Sequence, residues 1–96
     1  MKQTERIQYY EAILDEAETV IKELSEALEN YSSIQNKIKE LEIYYLGPIW
    51  MQDYKDDEEG KIEKDLKRGV LSEDAVYNLL SEQTAIKDRL EEILKQ

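Results

Sequence analysis

Apolar and aromatic residues recur along the first 46 residues of the chain at alternating steps of three and four. This spacing is the heptad pattern of an α-helix that presents one continuous face to another helix. The face consists of Ile7, Tyr10, Leu14, Ala17, Ile21, Leu24, Leu28 and Tyr31, and Ile38 and Tyr45 continue it. The pattern predicts a long N-terminal helix that ends at Gly47-Pro48.

The weak point of this helix is the segment Asn30-Tyr31-Ser32-Ser33, because Asn and Ser side chains compete with the helix for backbone hydrogen bonds. The heptad register crosses this segment unchanged. The register therefore favours a continuous helix, and a break near Ser32 that folds the chain back is the alternative.

A short second helix is predicted from Pro48 to about Glu58. Pro48 suits the first position of a helix, where no backbone N–H is needed. Trp50 lies on the apolar face of this helix, and Gly60 can end it.

The remaining residues predict one further helical turn and a final helix. Ile62 and Leu66 are four residues apart, which favours a turn of helix that Gly69 ends. Ser72 begins the final helix, with two acidic residues in its first turn where the helix dipole favours them.

The predicted fold is all-α and forms a single domain over residues 1–96. It consists of a long N-terminal helix, a short middle helix and an antiparallel C-terminal helix, in a coiled-coil-like helical hairpin or bundle. The final helix, of roughly 23 residues, is about half as long as the first. It leaves much of the first helix uncovered, and such an apolar face is unfavourable in water. We expect a second chain to cover it, most simply in a closed homodimer. The large residues of this face between positions 7 and 28 form the association stripe: Ile7, Tyr10, Leu14, Ile21, Leu24 and Leu28.

Composition excludes most familiar catalytic chemistry. The chain has no Cys and no His, so it lacks disulfides, thiol nucleophiles, zinc–thiolate sites and the commonest general base and metal ligand. The acidic run at residues 53–59 does not have the spacing of a calcium-binding loop. We therefore expect no catalytic residue, no cofactor and no metal site, and a protein that is not an enzyme.

The charge of the chain limits its partners. With 13 basic and 23 acidic residues, the formal charge is −10. This charge disfavours binding to nucleic acid or to an anionic membrane, because both are negative themselves. No apolar run approaches the length of a membrane span, and the opening residues lack the apolar core of a signal peptide. We expect a soluble cytoplasmic protein.

One short segment is basic within this acidic chain. Residues 61–69 hold four basic and two acidic residues, and the predicted start of the final helix follows. Backbone N–H groups at a helix start, with cations nearby, can bind a phosphate or carboxylate. The candidate residues for binding a small anion or a partner are Lys64, Lys67, Arg68, Gly69 and Ser72. The alternative is that these cations balance the acidic run that precedes them.

The aromatic residues Trp50, Tyr54 and Tyr77 are candidate contacts for a ligand or a peptide, because aromatic side chains are enriched at binding hot spots. The alternative is that Trp50 packs between the short helix and its two longer neighbours.

The run from Lys64 to Leu80, KDLKRGVLSEDAVYNLL, is the most specific motif of the chain. Together with Tyr44-Tyr45, Trp50-x-x-Asp53-Tyr54 and Ile13–Ala17, it makes nearly the whole chain resemble the bacterial family called domain of unknown function 4298. The resemblance implies a small bacterial cytoplasmic protein and implies no activity. This chain has Ile62-Glu63 where the family pattern has Leu-Pro, which implies a more helical connector.

The resemblance also marks Asp65, Lys67, Arg68 and Gly69 as a hallmark of the family. A structural role is one reading of this hallmark. Arg68 would then pair with an acid of the short helix, and Gly69 would adopt the left-handed conformation that ends a helix.

Two functions are therefore open at the level of sequence. The apolar face and the missing catalytic residue types favour a non-enzymatic interaction or assembly protein that associates with itself or with a helix of another protein. The alternative is a module that binds a small anion or a nucleotide phosphate through residues 64–72.

Overall fold

The computed structural model describes residues 2–96 of the chain. Met1 lies outside the described residues. Three α-helices make up most of this part of the chain: α1 (Gln3–Tyr45), α2 (Pro48–Glu58) and α3 (Ala75–Leu94). A 3-10 turn, Gly69–Leu71, lies between α2 and α3. The predicted all-α class, with a long, a short and a C-terminal helix, is confirmed.

The chain divides into two units, one that ends at Asn36 and one that comprises Lys37–Gln96. Within the described residues, the first unit consists of α1 alone, whereas the second holds the end of α1 and all the later elements. The single domain and the antiparallel direction of α3 relative to α1 remain predictions.

Helix α1 continues through the segment Asn30-Tyr31-Ser32-Ser33. The hydroxyl of Ser33 donates a hydrogen bond of 2.9 Å to the carbonyl of Glu29, four residues earlier in the same helix. The side chain therefore bonds within its own helix and does not cap a new one. The alternative of a break near Ser32 is wrong.

The described part of the first unit has no buried residue. Every residue from Lys2 to Asn30 is exposed, and the six residues of the association stripe are 44% to 63% exposed. An isolated helix gains little stability in water, because most helical stability in proteins comes from packing of an apolar face. The exposed stripe therefore leaves α1 without the packing that usually stabilises a helix.

The second unit has a small core with one member from each of three elements. Trp50 of α2, Leu71 of the 3-10 turn and Val76 of α3 are buried. The 3-10 turn contacts both α2 and α3. A three-residue turn thus joins two helices around one apolar cluster.

Both ends of α2 follow from its sequence. Pro48 occupies the first turn after an extended Gly47, as predicted. At the other end Gly60 has a φ of +74°. The amide of Gly60 donates to the carbonyl of Asp57 and the amide of Lys61 donates to Asp56, which is the hydrogen-bond pattern of a Schellman motif. The prediction that Gly60 ends this helix is confirmed.

The connector, residues 59–68, differs from the prediction. The expected helical turn around Ile62 and Leu66 is absent, and within residues 62–68 only the amide of Leu66 bonds back, to Glu63. Ile62 is half-buried and Leu66 is exposed, so the two do not form one buried helical face. Gly69 has no positive φ and begins the 3-10 turn, so its expected left-handed role is wrong.

Helix α3 begins three residues later than predicted. The backbone of Ser72 is extended, at φ −70° and ψ 154°. Its hydroxyl donates to the carbonyl of Gly69 and accepts from the amide of Ala75. This turn holds Ser72 outside the helix, whose N-cap residue is Asp74, and the two acids that follow Ser72 precede α3.

No helix within residues 2–96 is both long and apolar enough to cross a membrane.

The positive φ of Gly60 predicts the effect of a substitution. Gly60→Ala should lower the free energy of unfolding by about 1 kcal/mol, because an L side chain is strained in this region. Steric contact adds nothing, since no atom lies within 4 Å of the position of the new Cβ. Urea denaturation followed by the fluorescence of Trp50 measures the change.

Gly69→Ala is the matched control, because a Cβ there also meets open space and φ is not positive. This variant should be neutral or slightly stabilising. Equal losses of stability for the two variants would contradict the role given to Gly60.

Candidate functional site

The second unit contains a cleft of about 290 Å³, formed by the end of α1, by α2 and by the segment that follows α2. We call it the connector cleft. Its lining residues are Tyr44, Asp53, Ile62, Leu66, Lys67, Arg68, Val70 and Leu71. The lining thus combines four aliphatic side chains, one phenol, one carboxylate and two cations.

Tyr44 and Asp53 form the polar contact between the end of α1 and α2. The hydroxyl of Tyr44 donates to Oδ2 of Asp53 over 2.6 Å. Burial, the hydrogen bond to Asp53 and the charge of its carboxylate together raise the pKa of Tyr44 to about 12. The phenol is therefore neutral at physiological pH and serves as a hydrogen-bond donor.

The indole of Trp50 connects the elements behind the cleft. Its ring stacks on Tyr54 at 5.2 Å and meets Tyr45 edge-on at 5.0 Å. Its Nε1–H donates to the carbonyl of Val70 over 2.9 Å. Trp50 is only 8% exposed, so its ring packs inside the second unit, which supports the interpretation of Trp50 as a packing residue.

The other two candidate aromatic residues differ in their surroundings. Tyr54 is half-buried, and its hydroxyl donates to Oε1 of Glu73 over 2.8 Å. Hydrogen bonds to the carboxylates of Glu58 and Glu73 raise the pKa of Tyr54. Tyr77 is exposed on α3. Contact of these residues with a ligand or peptide remains a prediction.

Arg68 forms an ion pair with Asp57 of α2, through Nη1 and Oδ1. The two side chains are 33% and 24% exposed, so the pair is partly shielded from water. The prediction that Arg68 pairs with an acid of the short helix is confirmed. A second pair, Lys61 with Glu59 at 2.8 Å, is more exposed. Two of the four cations of residues 61–69 thus neutralise acids of the preceding run.

The two other candidate cations are placed differently. Lys64 and Lys67 are exposed, and neither forms a salt bridge with a residue in the described range 2–96. Lys67 lines the connector cleft and Lys64 does not. Gly69 and Ser72 lie in the turn before α3, also outside the lining. The structure therefore brings Lys67 and Arg68 together in a cleft, and binding of an anion by these residues remains a prediction.

Several lining residues were missed as site residues at the level of sequence. Tyr44 and Asp53 belong to motifs that the chain shares with the family, but their separation of nine positions gave no sign of a hydrogen bond. Ile62 and Leu66 were assigned to a helical turn, and their actual position depends on contacts distant in sequence. The signal that could have found the site was the pair of family motifs Tyr44-Tyr45 and Trp50-x-x-Asp53-Tyr54, because each contributes a residue to the lining of the cleft.

Within residues 2–96, no group of three or more acidic side chains is placed to hold a metal ion. The cleft itself offers one carboxylate, Asp53, which accepts the hydroxyl of Tyr44. The side chains of the lining can bind a ligand through apolar contacts and through charge.

The family model described as Domain of unknown function (DUF4298) matches residues 7–93 of the chain. No curated protein matches the chain significantly, and neither does any solved structure. All residues of the connector cleft and of the association stripe lie inside the matched range.

The hydrogen bond of Tyr44 predicts a pH dependence. The pKa of this phenol is raised from 10.0 to about 12 in the folded chain, so its stabilising effect is complete below about pH 10 and is lost as the pH rises through about 12. Tyr44→Phe should be less stable than the unmodified chain at neutral pH by about 1 kcal/mol. The difference should close between about pH 10 and about pH 12, measured by urea denaturation at several pH values.

Tyr77→Phe is the control, because this phenol is exposed and forms no hydrogen bond among the described residues. Its stability should match that of the unmodified chain at each pH. A gap for Tyr44→Phe that stays constant up to the highest pH would contradict the assigned role.

The ion pair of Arg68 and Asp57 predicts a measurable coupling. A double-mutant cycle with Arg68→Met and Asp57→Asn should give a coupling free energy of about 1 kcal/mol, because the pair is partly shielded. The same cycle on Lys61 and Glu59 should give a value near zero, because exposed pairs contribute little. Equal couplings for the two pairs would show that shielding has no effect here.

Proposed function

The chain belongs to the family described as domain of unknown function DUF4298, a description that names no activity, and we propose that it works as a non-enzymatic assembly protein. In this proposal, a second copy of the chain covers the association stripe of α1. The exposure of all six stripe residues is the observation that carries the proposal. Large apolar side chains in a continuous row mark interaction surfaces more often than free surface.

The width of the apolar face supports burial against helices. A second row runs beside the stripe at seven-residue spacing and consists of Ile13, Val20, Ala27 and Ile34. Its three large members are 43% to 53% exposed. The stripe and this second row together give α1 a broad apolar face of the kind that packs against other helices.

The stability of α1 supports the same conclusion. The first unit contributes no second element that α1 could pack against. A helix without a packed face is marginally stable in water. Packing of the stripe against the same stripe of a second copy would supply the missing burial, and identical surfaces of this kind form closed symmetric dimers.

Charge argues against two other occupants of the stripe. The remaining surface of α1 up to Asn30 is dominated by acids, namely Glu5, Glu11, Asp15, Glu16, Glu18, Glu23, Glu26 and Glu29. Helices that lie on membranes carry Lys and Arg on the polar face, and proteins that bind nucleic acid depend on the same cations. A protein helix is therefore the favoured occupant. The proposal places this assembly in the cytoplasm. A chain without Cys forms no disulfides, so it does not need an oxidising compartment.

The solution mass tests the proposal. Sedimentation equilibrium over a roughly hundredfold range of concentration should give a homodimer or a closed higher oligomer that dissociates on dilution. The variant with Leu14→Asp and Ile21→Asp should remain a monomer, because two charges would be buried in the interface. The fluorescence of Trp50 should stay unchanged, since the second unit does not depend on these positions.

The matched control adds the same two charges to the opposite side of α1. Ala12→Asp and Thr19→Asp lie away from the stripe in the heptad, so this variant should associate like the unmodified chain. A monomeric mass for the unmodified chain throughout the range would refute the proposal. So would equal effects of the two double variants on association.

A further inference from the structure

We propose that the connector cleft binds a small organic acid that has an aliphatic body and a single negative charge, with Lys67 as the residue that holds the charge. This site is independent of the proposed self-association, because all of its lining residues lie in the second unit and none belongs to the association stripe.

The apolar part of the cleft is accessible to solvent. Leu66 is 58% exposed and Val70 is 38% exposed, although both line the cleft. Ile62 and the buried Leu71 extend the same wall. Small-molecule sites are typically concave and lined by apolar side chains, with a few polar groups that fix the ligand's orientation. The wall therefore favours a ligand with a hydrocarbon body.

The charges of the lining define the polar end of the ligand. Arg68 is paired with Asp57, and the carboxylate of Asp53 accepts the hydroxyl of Tyr44. Lys67 is the lining cation that has no salt-bridge partner within residues 2–96. The ammonium group of Lys67 can therefore pair with a single carboxylate group of the ligand. A ligand with two negative charges would bring its second charge near Asp53.

The cleft has room for a small ligand. A space of about 290 Å³ equals the liquid volume of roughly ten water molecules. A linear acid of about six to eight carbons has a comparable number of non-hydrogen atoms. The negative chain attracts no simple anion by long-range electrostatics, so the hydrocarbon body has to supply much of the affinity.

Titration of the full chain with hexanoate tests the proposal by two-dimensional NMR of its ¹⁵N-labelled amides. The chain has one Trp, so one indole resonance reports directly on the hydrogen bond from Trp50 to Val70. We expect saturable shifts of this signal and of the amides of residues 66–71. Affinity should rise by about fourfold for each methylene added from butanoate to hexanoate.

Two substitutions of lysine separate the cleft from general charge effects. Lys67→Met keeps the aliphatic stem and removes the charge, and it should weaken binding of hexanoate by about tenfold or more. Lys64→Met removes an equal charge from the same connector outside the cleft, and it should change the affinity by less than about twofold. A Leu66→Ser variant should reduce the gain in affinity with chain length while keeping the fold, since Leu66 is exposed.

Three results would overturn the proposal. The first is the absence of saturable shifts with hexanoate. The second is an equal effect of Lys67→Met and Lys64→Met, because the charge would then not act within the cleft. The third is binding of inorganic phosphate, 1-hexanol or hexylammonium at least as tightly as hexanoate, because the ligand would then lack one of the two required features. Each of these results leaves the self-association proposal intact.

Discussion

The second unit depends on the buried indole of Trp50. Its ring joins α2 to the end of α1 through Tyr45, and its N–H requires an acceptor because a buried donor without one is costly. The carbonyl of Val70 is that acceptor. This bond fixes the 3-10 turn against α2, and the turn then places Leu71 in the core and directs the chain into α3.

The features that could be predicted from the sequence are those that depend on residues close together along the chain. The heptad pattern predicted that α1 continues through its polar segment, and Pro48 and Gly60 predicted the two ends of α2. These signals act on residues only a few positions away in the chain. The connector was predicted wrongly because its path depends on contacts distant in sequence, such as Arg68 with Asp57. The cleft was missed for the same reason, although the pairing of Arg68 with an acid of α2 was correctly inferred from the family motif.

Among the described residues, the buried apolar side chains all lie in the second unit. In the second unit, a few apolar residues are packed. Around them a phenol hydroxyl bonds to a carboxylate, the indole bonds to a backbone carbonyl, and an arginine pairs with an aspartate. In the first unit, large apolar residues face solvent along α1. A small chain gains little from its own core, so burial of the stripe by a second copy would add stability where the single chain has none. The cleft, in contrast, is complete within one chain.

Hydrogen–deuterium exchange of the full chain at a low and a high protein concentration tests this account most directly. Amides of residues 7–28 should exchange more slowly at high concentration, because association packs the stripe and suppresses local opening of α1. Amides near Trp50 and Val76 should exchange at the same rate at both concentrations, because their packing lies within one chain. Equal exchange of residues 7–28 at the two concentrations would contradict the account.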